Sequence, residues 1–177
     1  MDYSGLIRLF QKRVSIRTYL ERDVSNKDIE KLVEAARWVP TSCNRQSWKV
    51  AVIRKGTKAF DLLASANFGG LGFAKHVPVL LLIIVDLRSY GMPREMNFPV
   101  NDGSIVASYL MLTATSLGLD TCWVSWQASL KRKKRIYREL KLESYFFPIC
   151  VLTLGYRKGL VARIPREDAH YYIAGTL

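Results

Sequence analysis

The chain has 177 residues, 49% of them hydrophobic and 24% charged, with a formal net charge of +12. That length supports one domain with a sizeable core, and apolar residues spread along the whole chain exclude a disordered polymer. Three cysteines (Cys43, Cys122 and Cys150) with no Cys-x-x-Cys pair, and two distant histidines (His76 and His170), offer neither a disulfide framework nor metal-site spacing; free thiols in a reducing cytoplasm are expected.

In chain order, Met1-Asp2-Tyr3-Ser4-Gly5 opens a polar, amphipathic segment unlike a secretory signal. Tyr3 to Lys12 reads as a helix with Leu6, Ile7, Leu9 and Phe10 on one side. Arg13 to Arg17 follows as extended chain. Side chains there alternate faces, so Arg13, Ser15 and Arg17 point the same way. Ser25 and Asp28 form a capping box before a helix that stops near Pro40. A polar loop, Pro40-Thr41-Ser42-Cys43-Asn44-Arg45-Gln46-Ser47, leads into a strand from Trp48 to Arg54. Thr57 to Ala66 reads as a short helix, and Phe68 to Phe73 as a glycine-dense connection without the Gly-x-Gly-x-x-Gly spacing.

Val77 to Val85 is the longest apolar run. It is far shorter than the ~20 residues that span a bilayer, and its β-branched residues predict a buried central strand from Val79 to Asp86. Ser89 to Val100 reads as a loop or lid. Asp102 is expected to cap a helix reaching about Leu117, with an apolar set broad enough for burial on two sides. Gly118 stops it. Thr121 to Trp126 and Phe146 to Leu154 read as strands. Between them Ser129 caps a helix whose Lys131–Arg138 stretch holds six basic residues. An amphipathic helix with a basic solvent face accounts for that stretch better than a nucleic-acid stripe. The last 20 or so residues read as an extended arm.

Guanidinium forks suit phosphate because each can bond two oxygens, and amides and hydroxyls suit the polar atoms of a heterocycle. The run Arg13-Val14-Ser15-Ile16-Arg17, followed by Pro40-Thr41-Ser42-Cys43-Asn44-Arg45-Gln46-Ser47-Trp48, resembles the R-x-S-x-R/K and P-S-x-x-N-x-Q-P-W segments of the FMN-dependent nitroreductase family. Further pieces occur in the family's order: Phe73–Val79, Asp102-Gly103-Ser104, Ser116–Trp123, Arg138–Tyr156 and Arg163-Ile164-Pro165. The chain departs from the pattern at Ser47, where the motif has proline, and at Ser125, Trp126 and Val161.

The resemblance implies an α+β layered fold: a central mixed, mainly antiparallel sheet flanked by helices, in an obligate homodimer. Residues 1–177 would form a single domain, with 160–177 as a C-terminal arm. Arg13, Ser15, Arg17 and Arg163 would hold the FMN phosphate and ribityl end, with Arg157 or Lys158 as a possible substitute for a missing basic residue. Pro40, Thr41, Ser42 and Asn44 would contact the flavin from the other subunit. Asn67 would reach the pyrimidine side, and Val124, Ser125 and Trp126 would lie against the ring. FMN would take hydride from NADH or NADPH at N5 and pass electrons to a nitroaromatic, quinone or similar small acceptor by ping-pong. No catalytic side chain and no metal is implied, because the flavin carries the chemistry. Neither membrane nor nucleic acid is expected as a partner. Two alternatives stay open at this point: a specialised member (a dehydrogenase of a heterocycle, or a flavin-fragmenting enzyme) and a non-catalytic flavin- or nucleic-acid-binding protein.

Overall fold

The computed structural model describes residues 2–65, 72–91, 95 and 97–168. Five helices, α1 (Tyr3–Lys12), α2 (Asn26–Ala36), α3 (Lys58–Ala64), α4 (Phe98–Ser116) and α5 (Leu130–Leu140), surround one sheet of β1 (Trp48–Arg54), β2 (Val79–Asp86), β3 (Asp120–Ser125) and β4 (Phe146–Gly155). The strand order is β1-β2-β4-β3 and every pairing is antiparallel. The parallel component of the expected mixed sheet is confined to an isolated bridge between Ser15 and Thr121.

The sheet is buried on both faces, which is why β2 reads as an unbroken apolar run. Its residues alternate between two cores. Leu80, Leu82 and Ile84 join Phe60 and Leu63 of α3 and Ile136 of α5. Val79, Leu81 and Ile83 join Leu32 of α2 and Val106, Leu110 and Ala114 of α4. Each fully buried Leu or Ile side chain contributes roughly 1.5–3 kcal/mol. A register shift lies between Ile83 and Ile84, where Cys150 and Pro148 are the partners and Ile149 is the extra residue. Proline at a bulge costs no ladder donor.

Local signals fix the helix ends. Asp2 accepts from the Gly5 N–H at 2.8 Å. The Ser25 hydroxyl accepts from the Asp28 N–H, as expected of the N-cap, and donates to the Asp28 carboxylate instead of leaving it to the Ser25 N–H. Thr57 and Ser129 cap α3 and α5 in the same way. Gly118, at φ +74°, turns the chain after α4.

Two expectations need correction. Helix α4 begins at Phe98, not at Asp102. Pro99 occupies its first turn, where a missing N–H costs nothing, so the end of the expected 89–100 loop is helical. Asp102 lies inside α4, buried, and serves a different purpose (below). Within the single chain one side of α4 is buried, through Gly103, Val106, Ala107, Leu110 and Ala114, while Val100 and Tyr109 are exposed. Helix α1 is amphipathic as expected, yet none of its residues is buried, and Leu6 and Phe10 lie open. After Gly155 the described chain has no helix or strand, and Leu160 and Ile164 are exposed. Among the described residues no helix is long and apolar enough to cross a membrane.

Candidate functional site

Helix α1 ends where Arg13 leaves helical geometry (φ −70°, ψ 118°). The chain then runs beside β3, with the Ile16 N–H donating to the Thr121 carbonyl at 3.0 Å. Ile16 is fully buried and Val14 packs on the same core, so the alternation holds. A buried chain of hydrogen bonds fastens the segment from below. The Tyr19 hydroxyl donates to the Ile16 carbonyl (2.8 Å) and meets Thr153 Oγ1 (2.6 Å), which accepts from the Cys122 N–H. Burial pushes the Tyr19 phenol well above its ordinary pKa. Gly155 allows this close crossing, since a Cβ there would meet Pro78 and Tyr19 carbons at 2.9 Å.

Arg13, Ser15 and Arg17 converge on Cys122. Burial raises the pKa of that thiol, while Arg17, the Ser15 hydroxyl and Arg13 pull it down in that order. Among the described residues neither the Arg13 nor the Arg17 guanidinium makes an ion pair or a hydrogen bond. Nearby, the Thr121 hydroxyl is buried without a partner. Uncommitted guanidinium forks beside small hydroxyls fit a phosphate monoester, so the donor set suits the phosphate end of FMN.

The 40–47 loop is strained and clasped. Cys43, Asn44 and Gln46 have φ of 51°, 53° and 49°. Each non-glycine residue in the left-handed region costs roughly 1–2 kcal/mol. Asp102 Oδ1 accepts from the Ser42 N–H (2.9 Å) and hydroxyl (2.8 Å), and the Thr41 hydroxyl accepts from the Gln46 N–H (3.1 Å). Those two side chains therefore face the protein, and what Thr41 and Ser42 can offer a ligand is mainly backbone. Pro40 and Asn44 are exposed. Arg45 pairs with Glu95 at 2.8 Å and lies over the Tyr90 ring.

At the end of β3, Val124 is buried and Ser125 exposed, its hydroxyl accepting from the Trp123 indole at 3.3 Å. Trp126 packs against the Ile16 core rather than standing free. The tail returns to the N-terminal segment. The Lys158 N–H donates to the Thr18 carbonyl (3.0 Å) and the Thr18 hydroxyl to the Lys158 carbonyl (3.2 Å). Arg163, exposed, follows five residues later, within about 17 Å of Lys158 along an extended chain. Arg157 is already committed: its guanidinium forks onto Asp120 at 2.6 and 3.0 Å. Asn67 lies outside the described residues.

Sequence reading missed Tyr90, Ser47, Glu95 and the Asp120–Arg157 pair. Only the buried hydroxyl at 47, where the motif has proline, carried a signal. Three cavities of about 290, 370 and 400 Å³ lie elsewhere, around Arg22 and His76, Phe60 and Lys75, and Ser25 and Asn26; none of the three is lined by a predicted flavin contact. The Arg13–Arg17 site is an open surface of the single chain.

Thiol accessibility gives a direct check of this geometry. Cys43 is exposed, whereas Cys122 and Cys150 are buried and burial raises both their pKa values. A thiol-reactive dye should label at most one cysteine promptly, Cys43, in the native protein and three in denaturant. Fast labelling of Cys122 would show that the segment over it is misplaced.

A buried antiparallel sheet with helices packed on it, and a cationic open surface beside its β3 edge, defines an α+β protein. The chain belongs to the nitroreductase family, whose model matches residues 10–70 and 56–156. Among its relatives is an Archaeoglobus fulgidus protein named "Putative NADH dehydrogenase/NAD(P)H nitroreductase", 26% identical over 168 residues, covering 95% of this chain and 90% of that protein. Another is the FMN reductase [NAD(P)H] of Bacillus subtilis, 27% identical, covering 89% and 69%. Among solved structures, the FMN-dependent nitroreductase of Clostridium difficile R20291 superposes with a TM-score of 0.73 at 28% identity, covering 97% of this chain and 94% of that one.

Proposed function

We propose that this chain is an FMN-dependent NAD(P)H oxidoreductase that works as a homodimer with FMN at the subunit interface. One observation carries the reading. Two guanidiniums and a hydroxyl, from Arg13, Arg17 and Ser15, all act on the Cys122 thiol, and neither cation has an ion-pair partner among the described residues, in a chain of this family. Likeness to the FMN reductase of B. subtilis and the FMN-dependent nitroreductase of C. difficile supports the choice of cofactor.

Arg13, Ser15 and Arg17 hold the phosphate and ribityl end, joined by Arg163 from the tail. Pro40, Thr41, Ser42 and Asn44 meet the flavin of the other subunit, Thr41 and Ser42 through backbone. Asn67 is assigned to the pyrimidine side. Val124, Ser125 and Trp126 flank the ring and exclude water, which strengthens every polar contact inside. When bound, FMN supplies the redox chemistry, taking hydride from NAD(P)H and passing electrons to a nitroaromatic, quinone or similar small acceptor by ping-pong at one site. The protein needs no acid–base side chain for this.

The uncovered apolar surfaces support the dimer: Leu6 and Phe10 on α1, Val100 and Tyr109 on α4, and Leu160 and Ile164 on the tail. A second copy, with residues 160–177 as an arm, would cover them and close the open crease. The free cysteines fit a reducing, cytoplasmic setting.

The test is the absorbance spectrum of the purified protein together with its sedimentation. Flavin bands that bleach with NADPH and return with a quinone, in a dimer, are the expected result. A colourless chain that takes up no added FMN, or a flavin-loaded monomer, would overturn the reading.

A further inference from the structure

The loop that carries Asn44 is held at both ends by side chains with no expected role in binding. Tyr90 has one hydroxyl proton and gives it to Asp102 Oδ2 at 2.7 Å. The 2.5 Å contact between Tyr90 and Ser47 therefore has Ser47 as donor. At the other end, Asp102 Oδ1 accepts both Ser42 donors. The order Ser47 to Tyr90 to Asp102, with Ser42 donating from the far side, closes a ring across residues 42–47. Every donor in it is used once and the carboxylate accepts at three points.

We propose that Ser47, Tyr90 and Asp102 form a latch that locks the 42–47 loop in its left-handed shape, and that through this the latch sets the affinity for flavin. The inference rests on the functional reading above; the three are positioning residues, not catalytic ones.

Four observations support it. Strained left-handed residues persist only where their surroundings over-determine them, and here three lie between the two latched ends. Ser47 and Asp102 are buried and Tyr90 half-buried, so both hydrogen bonds are partly shielded from water. Burial foremost pushes the Tyr90 phenol up to about 12, Ser47 pulling down and Asp102 pushing up, so the hydroxyl remains a donor at neutral pH. Serine at 47 also permits what proline would not. Proline disfavours anything but extended geometry in the residue before it, and Gln46 has φ +49°. The hydroxyl thus replaces ring stiffness with a hydrogen bond to an element 43 residues away.

Tyr90→Phe and Ser47→Ala each delete one hydroxyl and keep the packing, so both variants should fold. Two measurements are made on each: amide hydrogen exchange across residues 42–46 in the apoprotein, and FMN dissociation constant by fluorescence. A hydrogen bond in a charged network corresponds to about tenfold. We therefore expect roughly tenfold faster exchange at the Ser42 amide and roughly tenfold weaker FMN binding. The double variant should be no worse than Tyr90→Phe alone, because Ser47 acts through Tyr90. Exchange within twofold of wild type, unchanged FMN affinity beside faster exchange, or additive losses in the double variant would each overturn the latch. Wild-type protein that takes up no FMN would instead overturn the functional reading, and exchange in the apoprotein would still decide whether the loop is latched.

Discussion

The double variant Arg13→Ala, Arg17→Ala should lose FMN while keeping its fold. Each well-made charge-assisted contact contributes roughly 1.5–3 kcal/mol, so losing two removes about 3–6 kcal/mol, or roughly 10²- to 10⁴-fold in affinity. The cost falls on binding alone because neither guanidinium serves the protein itself; among the described residues, neither has a carboxylate partner. Removing both also lowers the self-repulsion of a chain at +12, so the apoprotein should melt at the same temperature or slightly higher. Raising the salt concentration should weaken wild-type FMN binding and leave the residual binding of the variant nearly flat. A purified double variant that stays fully yellow, or one that unfolds, would refute the phosphate assignment.

Arg13, Ser15 and Arg17 were legible because period-two alternation is a local rule and the buried partner, Ile16, obeys it. Strands β1 and β2 match their predicted bounds, Trp48–Arg54 and Val79–Asp86, also through local patterns: apolar and polar residues alternate along the edge strand β1, and burial on two faces leaves β2 an unbroken apolar run. The Ser25 box was equally readable, since all its partners lie within three residues. Asp102 shows where such reading fails. A carboxylate ahead of an apolar helix looks like a cap, yet its true partners are 12 and 60 residues away. The left-handed loop was hidden too. Cys43, Asn44 and Gln46 hold positive φ without a glycine among them, through contacts that no spacing reports. Arg157 looked like one more cation in a basic tail. Only the folded chain brings Asp120 under it.

That pair makes Arg157→Ala the most damaging single change at the tail. Asp120 is 7% exposed and Arg157 38%. Besides the forked side-chain contact, Asp120 Oδ2 accepts the Arg157 backbone N–H at 3.1 Å, and Arg157 bridges to Tyr19. Truncating the arginine leaves a buried carboxylate facing one amide. Full burial of such a pair would cost 3–5 kcal/mol; with the guanidinium partly in water, about 2–4 kcal/mol is expected. For a domain of this size that is roughly 5–15 °C in melting temperature. Arg157→Lys keeps the charge but loses the fork, and should fall between. Lys58→Ala, which breaks an exposed pair with Glu139, should barely register and serves as the control. The functional consequence follows from chain order. Residue 157 starts the tail that leads through Lys158 and Thr18 to Arg163, so Arg157→Ala should also weaken FMN below the melting transition. A variant that melts within about 2 °C of wild type, the size expected of a surface pair, would show that Asp120 finds its compensation in water and that the tail is anchored by something else.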